Sequence, residues 1–180
     1  MKITVKKLTD VDLLRAACES TMQAGAESKM TLDKIYRCEH SPIRTQLFWI
    51  EMENIPTFVS VHLVRHKIGV EHFVRSNRED RGGNKKATRL SPVKHSMLIN
   101  AQALIAMSRK RLCQQAHPAT AETMKAIKIA VDEIDSDLAM YMIPECEYRG
   151  GVCYELRPCG RTGIRRAEKD KDETRERWEV

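Results

Sequence analysis

The sequence has few aromatic residues, little glycine and proline, and no long apolar run. Aromatic residues make up 5% of the 180 positions, and eight glycines and six prolines are too few for a fibrous or low-complexity protein. No segment approaches about 18 consecutive apolar residues, and the N-terminal segment lacks the apolar stretch of a signal peptide. We therefore expect a cytoplasmic protein that is neither secreted nor inserted in a membrane.

Length and composition favour one globular domain. Hydrophobic residues make up 42% of the chain, and the 31 basic residues are nearly balanced by 25 acidic ones, which argues against wholesale disorder. The last segment is dense in both charges and poor in apolar residues. We expect a domain over residues 1–160 and a charged C-terminal tail over residues 161–180.

The six cysteines lack the spacing of a disulfide framework, so we expect reduced thiols. Cys146, Cys153 and Cys159 could bind zinc with Cys113 or a histidine, because thiolates are soft ligands. Gaps of six and five residues separate the three tail cysteines, whereas most structural zinc sites contain a tight Cys-x2-Cys pair. We therefore expect no metal site.

Hydrophobic patterns in the first third of the chain predict two strands and two helices. Residues 2–8 alternate as a short strand, and a capping box that begins at Thr9 predicts a helix directly after it. Residues 46–53 form an apolar run typical of a largely buried strand. Residues 57–64 alternate like a strand but follow Pro56, and we interpret them as a helix.

Two longer apolar stripes recur at three- and four-residue steps and predict long helices. The first covers residues 97–112, and the second covers residues 120–142 with Thr120 as its N-cap. We interpret the second stripe as part of the core or of a subunit interface. Strands mingled with long helices predict a single α+β domain.

The net charge of +6 is concentrated between residues 65 and 94. This segment has nine basic and three acidic residues, so the rest of the chain is balanced. Such a segment is expected to bind an anion, although a charge run can also be a solvated surface loop. It could instead belong to a non-enzymatic nucleic-acid-binding module. Phe73 is its one aromatic residue, which is poor for stacking on bases, so we do not expect a nucleic-acid partner.

Two groups of residues in this segment have the chemistry of a phosphate site. Arg65, His66 and Lys67 follow an apolar stretch, and Ser76 and Arg78 come shortly afterwards. Guanidinium groups bind phosphate through two parallel hydrogen bonds, and a serine hydroxyl can donate to the same oxygens. The sequence therefore predicts a phosphorylated ligand.

Asn100 and Arg111 are eleven residues apart on the predicted helix 97–112. At about 100° and 1.5 Å per residue they would lie on nearly the same helix face, about 16 Å apart along the axis. This separation suits a long ligand or two adjacent ligands better than one small metabolite.

These elements resemble the signature of the flavin-dependent thymidylate synthases, which is Arg-His-Arg, seven residues, and Ser-x-Arg. The sequence has Arg65-His66-Lys67, eight residues, and Ser76-Asn77-Arg78. The segment with Asn100 and Arg111 is similar to a family helix that offers an asparagine to the flavin and, eleven residues later, an arginine to the nucleotide. The segment Glu39-His40-Ser41-Pro42 resembles a His/Thr-Pro element near the flavin. Two elements in the correct order are more specific than either alone.

The resemblance implies a small, mostly antiparallel sheet packed with long helices, assembled as a homotetramer. It implies methylation of dUMP to dTMP, with methylenetetrahydrofolate as carbon donor and FAD-mediated hydride transfer from NADPH, and without a protein nucleophile. It places FAD against Arg65, His66, Lys67, Asn100 and Ser41. It places dUMP against His62, Ser76, Arg78 and Arg111.

The sequence departs from the family pattern at several positions. Lys67 stands where the signature has its second arginine, and one extra residue precedes Ser76. The segment between Arg78 and His95 is much shorter than in the family, so another nucleotide-binding arginine is missing. The chain resembles compact, diverged versions carried by bacteriophages. A related flavin-dependent modification of C5 in a pyrimidine nucleotide, such as hydroxymethylation, is the alternative reaction.

Overall fold

The computed structural model describes residues 1–25, 27–83 and 86–166. Its centre is a four-stranded antiparallel sheet in the order β1-β2-β4-β3. The strands are β1 (Lys2–Lys7), β2 (Leu47–Pro56), β3 (Val70–Val74) and β4 (Pro92–Asn100). A second, parallel sheet consists of the short strands β5 (Val152–Cys153) and β6 (Arg165–Arg166).

Among the described residues, seven α-helices pack around the main sheet or follow it. They are α1 (Val11–Glu19), α2 (Leu32–Cys38), α3 (Thr57–Leu63), α4 (Ala101–Arg111), α5 (Pro118–Asp132), α6 (Ser136–Tyr141) and α7 (Glu145–Tyr148). The same part of the chain contains two short 3-10 helices, Ser41–Thr45 and Glu79–Arg81. Within these ranges no helix is long and apolar enough to cross a bilayer.

The two central strands form because their apolar residues alternate with half-buried ones. Phe48 and Ile50 of β2 are fully buried and pair with Ile99 and Met97 of β4. These side chains point to one face, where the helices cover them. The predicted α+β fold with a small antiparallel sheet is therefore confirmed, as are the strands predicted at 2–8 and 46–53 and the helix predicted at 57–64.

The helix predicted over residues 97–112 is wrong in its first turn. Residues Pro92–Asn100 form β4, and α4 begins at Ala101. The run from Met97 to Ile99 satisfies both a period of two and a period near 3.6, and pairing with β2 and β3 decides for the strand. Asn100 consequently lies at the N-cap, and its Oδ1 accepts from the Ala103 N–H at 2.9 Å.

The helix predicted over residues 120–142 is two helices, α5 and α6. His117, rather than Thr120, is the N-cap of α5. Helix α5 ends at Asp132 because the buried Asp135 acts as the N-cap of a new helix, α6. The Oδ1 of Asp135 accepts from the Leu138 N–H, and its Oδ2 binds Lys7 Nζ at 2.6 Å. Because these partners hold the Asp135 carboxylate in place, the helical pattern is interrupted between α5 and α6.

Two predictions near the chain ends have different outcomes. The first helix is capped by Asp10 and not by Thr9, whose hydroxyl donates to the Thr45 carbonyl and accepts from the Leu47 N–H instead. The boundary predicted at residue 160 stays a prediction. Arg165 lies beyond it and donates its N–H to the Gly151 carbonyl, while residues 167–180 of the predicted tail lie outside the described residues.

Candidate functional site

Arg111, the last residue of α4, is held by two groups from the end of α3 and the turn after it. Its Nε donates to Nε2 of His66 at 2.9 Å, and a terminal nitrogen donates to the His62 carbonyl at 2.6 Å. Burial, and then the charge of Arg65, lower the pKa of Arg111. An arginine nevertheless stays charged in proteins. Arg111 is half-buried and forms no ion pair with a carboxylate of the described residues.

His66 is a neutral acceptor for Arg111. Burial, the charge of Arg111 and His72 lower the pKa of His66 to about 4. At neutral pH the ring is therefore uncharged, and because Nε2 accepts from Arg111, the proton lies on Nδ1. A neutral ring orients the guanidinium without cancelling its charge.

Two further histidines fix the turn that carries His66. The Nε2 of His72 donates to the His66 carbonyl at 2.7 Å, and the other ring nitrogen of His72 is hydrogen-bonded to Nε2 of His95 at 2.9 Å. His95 is fully buried, and burial lowers its pKa to about 4, so this ring is neutral as well. The pair spans β3 and β4 and anchors the turn to the sheet.

His62 on α3 is positioned by the start of α5. Its Nδ1 lies 2.8 Å from the hydroxyl of Thr120, and its ring packs edge-on against Phe58. Burial, and then Arg111, lower the pKa of His62. The ring therefore favours its neutral form beside the Arg111 guanidinium.

Asn100 and Gly69 lie in contact at the junction of β4 and α4. The Asn100 N–H donates to the Gly69 carbonyl at 3.0 Å, and Gly69 has a φ of +73°. A Cβ at Gly69 would lie 2.5 Å from Nδ2 of Asn100. Glycine is therefore required both by the left-handed backbone and by the close approach of the Asn100 amide.

Arg65 and Lys67 flank His66 on the same turn. Both side chains are exposed, and neither makes a hydrogen bond or an ion pair with the part of the chain that the structure describes. Together with Arg111 they give this end of the sheet three cations without an acidic partner among those residues. The arrangement suits an anionic ligand with more than one phosphate-sized charge.

The structure does not bring Ser76 and Arg78 to this cluster. Both are exposed after the end of β3, and Arg78 forms two hydrogen bonds to Asp80, at 2.9 and 2.6 Å. Val74, the last residue of β3, pairs with His95, five residues from Asn100 along β4. At about 3.4 Å per residue the two ends are about 17 Å apart. Ser76 and Arg78 therefore lie beyond the end of β3 that is opposite to Asn100, and neither forms a hydrogen bond with Arg111 within the described part of the chain.

Ser41 occupies a third position. It is exposed at the start of the 3-10 helix Ser41–Thr45, which packs against α4. The preceding Glu39 accepts from Nε2 of Gln102 at 2.5 Å and forms an ion pair with Arg109. These contacts fix the segment with Glu39 and Ser41 beside α4, the helix that also carries Arg111.

Comparisons with known proteins give a match in structure alone. No family model matches the sequence, and no curated protein matches it. A flavin-dependent thymidylate synthase ThyX from Helicobacter pylori, solved with FAD and dUMP, superposes with a TM-score of 0.64 at 15% identity, over 81% of this chain and 99% of that one. A second structure of that enzyme gives 0.63 at 14% identity, over 79% and 100%.

A third solved structure points to the same fold. The UMP/dUMP methylase PolB from Streptomyces cacaoi, bound with 5-Br dUMP, gives a TM-score of 0.58 at 14% identity, over 78% of this chain and 94% of that one. The chain has the fold of the flavin-dependent thymidylate synthases. The resemblance seen in the motifs is thus confirmed at the level of the fold, since these synthases are matched over nearly their whole length.

Sequence reasoning misses the residues that hold the site in this thymidylate synthase fold. His72 and His95 meet only through the register of β3 and β4, which no local pattern reveals. Thr120 is predicted as a helix cap, whereas its contact with His62 joins residues 58 positions apart. Gly69 has a signal, because glycine is the residue type that most readily takes a positive φ and here it directly precedes a strand.

Proposed function

We propose that this protein is a flavin-dependent enzyme that methylates C5 of dUMP to give dTMP. The observation that carries the proposal is Arg111, a half-buried guanidinium that is oriented by a neutral histidine and has no carboxylate partner among the described residues. A buried charge without a counterion is costly, so an anion is the expected occupant. The fold, shared with solved structures that contain FAD and dUMP, supports a nucleotide phosphate as that anion.

Arg111 has donors left for a phosphate. It uses Nε for His66 and one hydrogen of a terminal nitrogen for the His62 carbonyl, and a guanidinium has five N–H donors. Its remaining donors can bind two phosphate oxygens in the paired geometry that arginine favours. We assign the nucleotide to Arg111 and His62, because both lie at the meeting point of α3, α4 and α5.

The neighbouring residues fit the flavin cofactor. FAD carries an anionic pyrophosphate, and the exposed Arg65 and Lys67 supply cations beside His66. We assign Asn100, the N-cap of α4, and Ser41, the first residue of the 3-10 helix packed against α4, to the same cofactor. FAD supplies hydride-transfer chemistry when bound, whereas the protein positions the ligands and neutralises their charge. We propose NADPH as reductant and methylenetetrahydrofolate as carbon donor.

Ser76 and Arg78 require a second copy of the chain under this proposal. They follow Val74 at the end of β3 that is opposite to Asn100, and Arg78 is bound to Asp80 instead of facing the Arg111 cluster. We propose a homotetramer in which these two residues complete the nucleotide site of another copy. In that assembly the bond between Arg78 and Asp80 is exchanged for one to the ligand phosphate.

The test is the product formed from dUMP by the purified full chain with FAD, NADPH and methylenetetrahydrofolate. We expect a nucleotide heavier than dUMP by one CH2 unit, formed only when all three are present. Mass spectrometry distinguishes the alternative reaction, because hydroxymethylation adds a CH2O unit. No conversion of dUMP, together with salt-sensitive binding to DNA, would contradict the proposal and favour the nucleic-acid-binding module.

A further inference from the structure

Four of the six cysteines line one cavity. The cavity has a volume of about 200 Å³ and lies where α7, β5 and the chain after β5 meet the C-terminal end of α4. The cysteines come from four separate places in the fold, namely the turn after α4, helix α7, strand β5 and the loop before β6. They are Cys113, Cys146, Cys153 and Cys159.

The region around this cavity is held in place with little apolar burial. From residue 145 to residue 166, Cys153 is the one buried residue, while Tyr154 and Leu156 are 62% and 92% exposed. The helix α7 has four residues, and β5 and β6 have two each. Small units without a core of their own generally need a metal or a disulfide to fix one structure.

The backbone around the thiols has features of a metal-thiolate site. The Gln115 N–H donates to the Cys113 sulfur, and the Gly151 N–H donates to the Cys146 carbonyl at 2.8 Å. Gly160 follows Cys159 directly with a φ of +73°, so the chain turns immediately after this thiol. N–H groups aimed at a sulfur stabilise its anionic form.

The electrostatics favour a cation in the cavity. Cys146, Cys159 and Glu155 lie close enough to Cys113 for their charges to act on it, so ionised thiols in this cavity would repel one another. A divalent cation removes this repulsion and displaces the thiol protons. Lys110, Arg149 and Arg161 also line the cavity, each in an ion pair with a glutamate, so its wall carries charges of both signs.

We propose that Cys113, Cys146, Cys153 and Cys159 bind one zinc ion as a tetrahedral tetrathiolate. Binding releases the four thiol protons to solvent, and no oxidation takes place. Within the described residues no three potential ligands are already gathered as a metal site. A change of cysteine rotamer moves the sulfur by about 3 Å, so the ion draws the thiols together across the cavity.

This assignment replaces the expectation of no metal site, which rests on gaps along the chain. The fold places Cys113, one of the fourth ligands that the sequence left open, in one cavity with the three tail cysteines, and the four thiols come from separate elements of the fold. The ion would also fix the end of α4, two residues after Arg111. The benefit to a nucleotide site at Arg111 rests on the proposed function, whereas the predicted zinc content of the protein does not.

The first experiment measures metal in the full chain, purified under reducing conditions without chelator. We expect about one zinc per chain, as in a closed structural site. Cys113→Ser and Cys153→Ser should each lose most of the zinc, while Cys38→Ser, a change at an exposed cysteine outside the cavity, should retain it. Absence of zinc from the unmodified protein, or iron in its place, would overturn the proposal.

A second measurement uses the unmodified protein, so it does not depend on variants that fold. A chromogenic disulfide reagent counts reactive thiols in the native chain before and after a zinc-specific chelator is added. We expect chelation to expose four further thiols and to release one equivalent of zinc, because thiolates bound to zinc react slowly. An unchanged thiol count, or disulfides found between these cysteines in freshly purified protein, would contradict the zinc site.

Discussion

Replacing Gly69 by alanine tests the geometry on which the cofactor end of the site depends. Gly69 has a φ of +73°, and an added Cβ would lie 2.5 Å from Nδ2 of Asn100. The backbone can adopt this φ with alanine at a moderate cost, but the Asn100 side chain has to move. Moving it breaks the bond from the Ala103 N–H to Oδ1 of Asn100, which caps α4.

The expected cost has two parts. A non-glycine residue in the left-handed region costs about 1 kcal/mol. Loss of an asparagine N-cap costs about another 1 kcal/mol, with a range of about 0.5 to 2. The free energy of unfolding should therefore fall by about 1.5–3 kcal/mol, which corresponds to a Tm lower by about 3–12 °C for a chain of this size.

Gly82→Ala is the matched control. Gly82 has a φ of +75°, and an added Cβ there would have no described atom within 4 Å, so only the backbone cost of about 1 kcal/mol applies. Urea denaturation and FAD titration of both variants should show a larger loss for Gly69→Ala in stability and in FAD affinity. In the background of Asn100→Ala, Gly69→Ala should cost no more than Gly82→Ala. Equal losses for the two glycine variants in the unmodified background would refute the reasoning.

Three further predictions concern the nucleotide site and the buried histidines beside it. Arg111→Ala should weaken dUMP binding by about 2–4 kcal/mol, measured by calorimetry, while FAD stays bound and the exposed control Lys125→Ala changes neither. A mixture of Arg111→Ala and Arg78→Ala chains, refolded together, should recover part of the activity that each lacks alone, since mixed oligomers contain intact sites; no recovery would place both residues in one chain's site. Because burial lowers the pKa of His66 and His95 to about 4, the unfolded chain binds more protons between pH 6.5 and 4. Stability in urea should therefore fall as the pH drops through this range, and a constant stability would show that the rings are not buried in neutral form.

The sequence is sufficient to predict the fold class, the family resemblance and several residues of the candidate site. Residue types and spacing predict Arg65, His66 and Arg111, and the structure brings His66 and Arg111 into contact. The local patterns predict the two helices near these residues, whereas the contact between His66 and Arg111 across 45 residues depends on β3 and β4, which lie between them in the chain.

Other features depend on long-range pairing and cannot be predicted locally. Residues 97–100 form a strand instead of the predicted helix because β2 and β3 supply hydrogen-bond partners that the isolated segment lacks. The break before α6 depends on Lys7, which pairs with Asp135 across 128 residues. The separation of Ser76 from Asn100 follows from the register of β3 against β4, which spacing along the chain does not reveal.

The most direct test of the account is the visible absorption spectrum of the FAD-loaded protein during titration with dUMP, for the unmodified chain and Arg111→Ala. The account predicts flavin bands that shift and saturate with dUMP in the unmodified chain, and bound flavin whose bands respond only at much higher dUMP concentration in the variant. A protein that does not bind FAD, or flavin bands that respond to dUMP equally in both proteins, would contradict it.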